Sequence, residues 1–217
     1  ATEFPHSLPN YLAVTGGTTG SVTGDCLPGG SCSVPGGGIF GQVGPSQWRV
    51  WAESMPQACS KANASPYVAR HNPPAYYTGI SAATCQADDL PMPAKLPAPA
   101  RSFTWISPNL QDDLTLGTVV DAGTWLQNVL GGSTGLLNTK PYNQGHTAIF
   151  IWFDTAADTD AASTPIPLIV VAPSTGHRTV ATAFSNYALL RGFENMLGLP
   201  CLGGACTATG FNNAFRL

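Results

Sequence analysis

Apolar positions change their spacing along the chain, and that spacing predicts the elements. Residues 8–15 (LPNYLAVT) read as a short helix that Gly16-Gly17 ends, because glycine accepts the left-handed conformation found past a helix C-terminus. Residues 48–51 (WRVW) and 102–107 (SFTWIS) carry the aromatic and β-branched side chains that strands favour. Residues 147–153 (TAIFIWF) and 166–172 (IPLIVVA) are apolar without alternation, the pattern expected of strands covered on both faces in a parallel sheet. Asp121 is expected to cap a helix that runs through Leu130 and stops at Gly131-Gly132. A last helix, residues 183–197, places Leu189, Phe193, Met196 and Leu197 at helical spacing, with Gly198 as its stop. Strands alternating with helices imply an α/β fold, a layered sandwich around a mainly parallel central sheet, in a single domain over residues 1–217.

The stretches between these elements are glycine-rich (residues 18–38) and proline-rich (residues 56–99). The second reads as a long irregular insertion, extended over residues 91–99 because each proline restricts the residue before it. Hydrophobic residues make up 43% of the 217, enough for one sizeable core, and this argues against intrinsic disorder. The longest near-apolar run is seven residues, far short of the roughly 20 that a membrane-spanning helix needs. Charged residues are only 10% and the nine Lys and Arg are dispersed, so no basic face for nucleic acid is present.

The six cysteines fall into close pairs, Cys26/Cys32, Cys59/Cys85 and Cys201/Cys206. Three local disulfides in an oxidising compartment are the simplest reading, with reduced core cysteines as the alternative. Cys59–Cys85 would then hold the proline-rich insertion. No C-x-x-C and no histidine pair at ligand spacing speaks for zinc. Together with the low surface charge, this points to a secreted protein, extracellular or periplasmic. Ala1 is followed by neither a charged nor an apolar leader region, so a signal peptide is expected to have been removed already.

The patterns G-x-x-x-x-G-K-[ST] and H-E-x-x-H do not occur. Two features remain. Asp154, with Asp158 and Asp160, follows an apolar strand, and ligands gather at strand carboxyl ends in open α/β sheets. Ser7 stands just before a helix start, where free N–H groups and the helix dipole favour an anion such as phosphate, although a plain N-cap serine has the same sequence.

The segment HSLPNYLAVTGG (residues 6–17) resembles the nucleophile segment of the secreted bacterial phosphoesterase and acid phosphatase family, within the alkaline-phosphatase superfamily. YVARHNPPAYY (67–77), TWISPNL (104–110), AIFIWFDT (148–155), IPLIVVAP (166–173) and FSNYALLRGFENMLGLP (184–200) resemble further family blocks in the same order. The resemblance implies an alkaline-phosphatase-like fold and phosphate monoester hydrolysis assisted by a divalent metal ion. Ser7 matches the nucleophile, and His71 the histidine of the H-N-P block. Asp154 matches a metal-ligand carboxylate, and Asp112 and Asp113 fall near the family's acidic pair. Asn10 and Asn186 are the expected substrate-binding amides. The implied substrate is a small-molecule or lipid phosphate ester.

The resemblance also marks departures. The family's W-D-E reads Phe153-Asp154-Thr155 here, a late histidine is Asn186, and another is Thr115. A strand carrying a Glu-Asn ligand pair precedes the nucleophile in the family, so a preceding segment of the same precursor is an expected partner. The alternative function is a non-catalytic relative that acts as an extracellular binding protein. A serine hydrolase of another kind, using Ser7 with His71 or His146, has no support from spacing.

Overall fold

The computed structural model describes residues 4–155 and 165–217. Asp158 and Asp160 lie outside the described residues. In chain order the elements are α1 (Ser7–Gly16), α2 (Gly38–Val43), β1 (Trp48–Ala52), α3 (Ala82–Asp88), β2 (Asp89–Pro91) and β3 (Phe103–Ser107), then α4 (Val119–Leu130), α5 (Lys140–Asn143), β4 (Ile149–Trp152), β5 (Leu168–Val171), α6 (Asn186–Leu197) and α7 (Asn212–Phe215). Short 3-10 turns occur between them, including Ala69–His71 and Pro73–Tyr76.

The chain is α/β, with a parallel three-stranded sheet in the order β2-β1-β3. Val50 pairs with Asp89 on one side of β1, and Trp48 through Ala52 pair with Phe103 through Ser107 on the other. Along β1 the side chains alternate, with Trp48, Val50 and Ala52 buried and Arg49 and Trp51 half-buried. Trp48 packs edge-on against Phe40 of α2, ring centroids 5.1 Å apart. On the opposite face Arg49 reaches Asp88 of α3 at 3.5 Å.

β4 and β5 form a separate antiparallel pair, Phe150 opposite Val170 and Trp152 opposite Leu168. This corrects the expectation of parallel strands buried on both faces. Phe150, Trp152, Leu168 and Val170 pack on the core, whereas Ile169, on the other face, is 46% exposed. The burial follows the two-residue period of a strand although the sequence does not alternate. α1 and α6 join the two sheets: Phe193 of α6 lies 5.9 Å from Phe103 and 5.0 Å from Phe150, centroid to centroid.

Helix ends follow their local chemistry. α1 stops at Gly17, whose φ of 69° is left-handed, and α6 stops at Gly198 with φ 66°. Three boundaries differ from expectation. Thr118, not Asp121, is the N-cap of α4, and Asp121 returns a bond to the Thr118 N–H as the third residue of a capping box. α6 begins at Asn186, because the Ser185 side chain accepts the Ala188 N–H at 3.0 Å. The proline-rich stretch is not irregular throughout. Ser81 caps α3, and β2 follows at once to extend the sheet, with Pro91 on its edge. Disulfides join Cys26–Cys32, Cys59–Cys85 and Cys201–Cys206, with Cα separations of 6.3, 5.4 and 5.0 Å.

Candidate functional site

Ser7 opens α1, and the preceding His6 offers no side-chain cap. The free N–H of Leu8 is instead taken from across the chain, by Asp25 Oδ1 at 2.9 Å. Asp25 directly precedes Cys26, so the first disulfide loop delivers it. Its other oxygen lies 3.5 Å from Arg70 Nε.

Arg70 and His71 belong to the 3-10 turn Ala69–His71, which packs against α1. His71 is 6% exposed and stacks on Tyr11, centroids 5.2 Å apart and planes 9° from parallel. Tyr11 sits one helical turn beyond Ser7. His71 Nδ1 approaches Asp113 Oδ2 to 3.3 Å, yet neither atom has a hydrogen-bond partner. Burial first, and the Arg70 charge second, hold the imidazole pKa well below its usual range, against the pull of Asp113 and Asp25. The ring is therefore neutral at neutral pH. Ser107 at the end of β3 donates to the His71 carbonyl at 2.7 Å, and Trp105 Nε1 donates to the Ser107 hydroxyl at 2.8 Å.

Asp154 follows β4 and accepts a hydrogen bond from the Ser7 hydroxyl. Burial raises its pKa, and the Ser7 bond with nearby backbone N–H groups only partly offsets this. Its Oδ2 is shut off from solvent and has no donor. The Tyr11 phenol is driven up by burial, then by the charges of Asp154 and Asp113. Ser7, His71, Asp113 and Asp154 thus gather around Tyr11 from the start of α1, a turn before α3, the loop after β3 and the end of β4.

The other expected residues lie differently. Asp112 turns from its neighbour toward Glu53, whose carboxyl pKa rises through burial and, after the opposing Asn109 N–H bond, through the Asp112 charge. Asn109 Oδ1 accepts the N–H groups of Gln111 and Asp112, at 2.7 and 3.3 Å, and this turn separates the two aspartates. Asn10 and Asn186 are fully buried and bonded to each other, Asn186 Nδ2 to Asn10 Oδ1 at 2.7 Å. Asn10 also donates to the carbonyls of Phe4 and His6, and Asn186 accepts from Trp152 Nε1 at 3.0 Å. Their amides fasten α1 to α6 and β4. Asp25 and Arg70 were not anticipated. Each directly precedes a residue that was singled out, Cys26 and His71, and that adjacency was the available signal.

Among the described residues, one set of three His, Cys, Asp or Glu ligand atoms lies within 4.8 Å: Cys59, Cys85 and Asp89, two of which are spent in a disulfide. At the α1 terminus the oxygens of Ser7 and Asp154, with the donorless Asp154 Oδ2, suit one small hard cation. Such ions commonly take one or two protein oxygens and complete their shell with water and phosphate.

The fold and site define a disulfide-bonded α/β protein with a serine–carboxylate pair at a helix N-terminus and a buried neutral histidine beside it. Over 209 residues, 95% of this chain and 67% of the relative, it is 24% identical to the phosphatidylinositol-3-phosphatase of Mycobacterium tuberculosis. No family model matches the chain, and no solved structure does. Among the described residues no helix is long and apolar enough to cross a membrane.

Proposed function

We propose that this chain is a secreted phosphatase of the alkaline-phosphatase type, hydrolysing phosphate monoesters through Ser7. The observation that carries the reading is the Ser7 hydroxyl bonded to the buried Asp154 at the N-terminus of α1, where backbone dipoles favour a phosphoryl group. The similarity to a phosphatase over nearly the whole chain supports it, and the three disulfides support export.

In this mechanism Ser7 Oγ attacks phosphorus as its proton passes to Asp154, the carboxylate that already accepts its hydrogen bond. The ester P–O bond breaks, the leaving oxygen takes up the proton that Asp154 received, and a phosphoserine remains. Water then attacks phosphorus as neutral His71 accepts its proton, the phosphoserine P–O bond breaks, and that proton passes on to the departing Ser7 oxygen. A divalent cation held by Ser7 and Asp154 would lower the hydroxyl pKa and neutralise charge on the transferring group. Asp113 and Tyr11 orient His71. The substrate class is a small-molecule or lipid phosphate monoester, the lipid option resting on the name of the relative.

The test is hydrolysis of an aryl phosphate by the purified chain, with Mg²⁺ and then with chelator, beside Ser7→Ala. Metal-dependent turnover that falls about 10³-fold or more in Ser7→Ala is expected. Turnover equal in the two proteins overturns the reading. A second reading, a non-catalytic extracellular binding protein, is favoured by Asn186, an amide locked to Asn10 and Trp152 that cannot transfer a proton. Absence of turnover from folded protein would select it.

A further inference from the structure

Seven large apolar side chains are exposed among the described residues, and four of them fall within seven positions of one another: Leu114 (42%), Leu116 (58%), Val119 (78%) and Val120 (75%). They form a ridge that runs from the loop after β3 into the first turn of α4. The ridge is held in shape. The Leu116 N–H donates to the Leu110 carbonyl at 2.7 Å and the Thr115 N–H to Asp113 Oδ1 at 2.8 Å, and a side chain on Gly117 would collide with the Gln111 carbonyl. Leu114 has φ 75°, a left-handed backbone that disfavours leucine, and its side chain gains no full burial in return. Val119 and Val120 take the first two positions of α4 after the Thr118 cap, where a carboxylate suits the helix and valine, a poor helix former, does not. Neither the helix nor the core accounts for these side chains, whereas contact with an apolar phase outside the molecule does.

We infer that residues 114–120 dock the protein on a zwitterionic phospholipid surface, with Leu114, Leu116, Val119 and Val120 entering the level where headgroups meet acyl chains. Charge selects this occupant. Between Arg101 and Lys140 there is no Lys, Arg or His, while Asp112, Asp113 and Asp121 are acidic. Anionic membranes attract basic segments and repel a surface of this kind, whereas phosphatidylcholine carries its ammonium groups outermost and so complements it. A protein partner fits less well. Binding energy between proteins concentrates in Trp, Tyr and Arg anchors, with Leu and Val under-represented, and residues 114–120 contain none of those anchors.

Asp113 connects the ridge to the candidate site. Its Oδ1 closes the loop on Thr115, and its Oδ2 lies 3.3 Å from His71 Nδ1. A docked molecule therefore holds the site beside the headgroup layer, where a lipid phosphomonoester reaches it with its acyl chains still in the bilayer. This consequence rests on the reading of the Ser7 site as a phosphatase and narrows its substrate to lipid phosphomonoesters.

The test is co-sedimentation of the full chain with phosphatidylcholine vesicles, beside Val119→Asp/Val120→Asp and Val119→Ser/Val120→Ser. Both pairs place polar side chains in a helical first turn and are expected to fold, which circular dichroism checks. Leu116→Ser, outside the helix, reads the same surface if either pair does not fold. The native chain is expected to bind, and both pairs to bind about tenfold more weakly or worse. Binding should persist in raised salt and gain nothing from added phosphatidylserine. Hydrolysis of a lipid phosphomonoester carried in the same vesicles should fall with binding, while that of a soluble aryl phosphate stays unchanged. A native chain that does not sediment with the vesicles overturns the inference. So does full binding by the folded variants, or binding that needs phosphatidylserine and is lost in salt. A dimer in analytical ultracentrifugation that the same substitutions dissociate, without vesicle binding, assigns the ridge to a second copy and overturns it too. Binding is also read in Ser7→Ala, without turnover, so failure of the phosphatase reading and failure of docking are separate results.

Discussion

Asp89 is fully buried where β2 meets β1, and its Oδ2 accepts a hydrogen bond from Asn72 Nδ2 at 2.8 Å. Its Oδ1 has no donor. Burial pushes the carboxyl up to about 7 from 3.8, and the Asn72 bond only tempers the rise. Between those two values the unfolded chain gives up a proton that the folded chain keeps. Stability therefore falls as pH rises from about 4 to 7, by as much as about 1.4 kcal/mol per pH unit, and levels off above. Urea denaturation at a series of pH values should show this slope in the native protein and a flatter one in Asp89→Asn. The same residue bears on the site, since Asn72 follows His71 and shares its turn. At this scale the sequence was informative about identity and silent about environment. Ser7, His71 and Asp154 stood in recognisable segments, but nothing local showed that Asp112 and Asp113 part ways, because a turn around Asn109 directs them.

Helix ends are written in residues that act within three or four positions, so the sequence located α1, α4 and α6 closely. Ser185 is the cap that sets the start of α6, and α6 carries Phe193 into the contact between the two sheets. Ser185→Ala should cost about 1 kcal/mol and lower the melting temperature by a few degrees, measured by circular dichroism. The strands were harder to read. β4 and β5 contain apolar residues on both faces, so their sequence cannot say which face is covered or which strand pairs with which. The antiparallel register, Phe150 opposite Val170, settles it by placing one alternate set on α6. β2 is three residues long, and a strand that short has no period to detect.

For the whole molecule, long connections are tied down covalently. Cys59 and Cys85 are 26 positions apart, and their bond fixes α3 and β2 beside β1. In the chain-entropy account, closing a loop of that length stabilises by about 3.5 kcal/mol. Replacing both cysteines with serine should lower the denaturation midpoint by a corresponding amount. It should also loosen His71, whose turn lies inside the loop, and so lower the rate of aryl phosphate hydrolysis. Asp25, Ser7, Arg70, His71, Asp113 and Asp154 come from residues 7 to 154, so no stretch of chain contains the site.

The sequence by itself determined the α/β class, the main helices and the segments that carry the candidate chemistry. Each of these depends on neighbours a few residues away or on composition. Only the tertiary structure decided that Asp25 reaches the start of α1, that Arg70 faces it, that Asn10 and Asn186 bond to each other, and that β4 and β5 pair antiparallel. Those contacts join positions 16 to 176 residues apart, and burial, charge and register act there through space, where linear spacing carries no information.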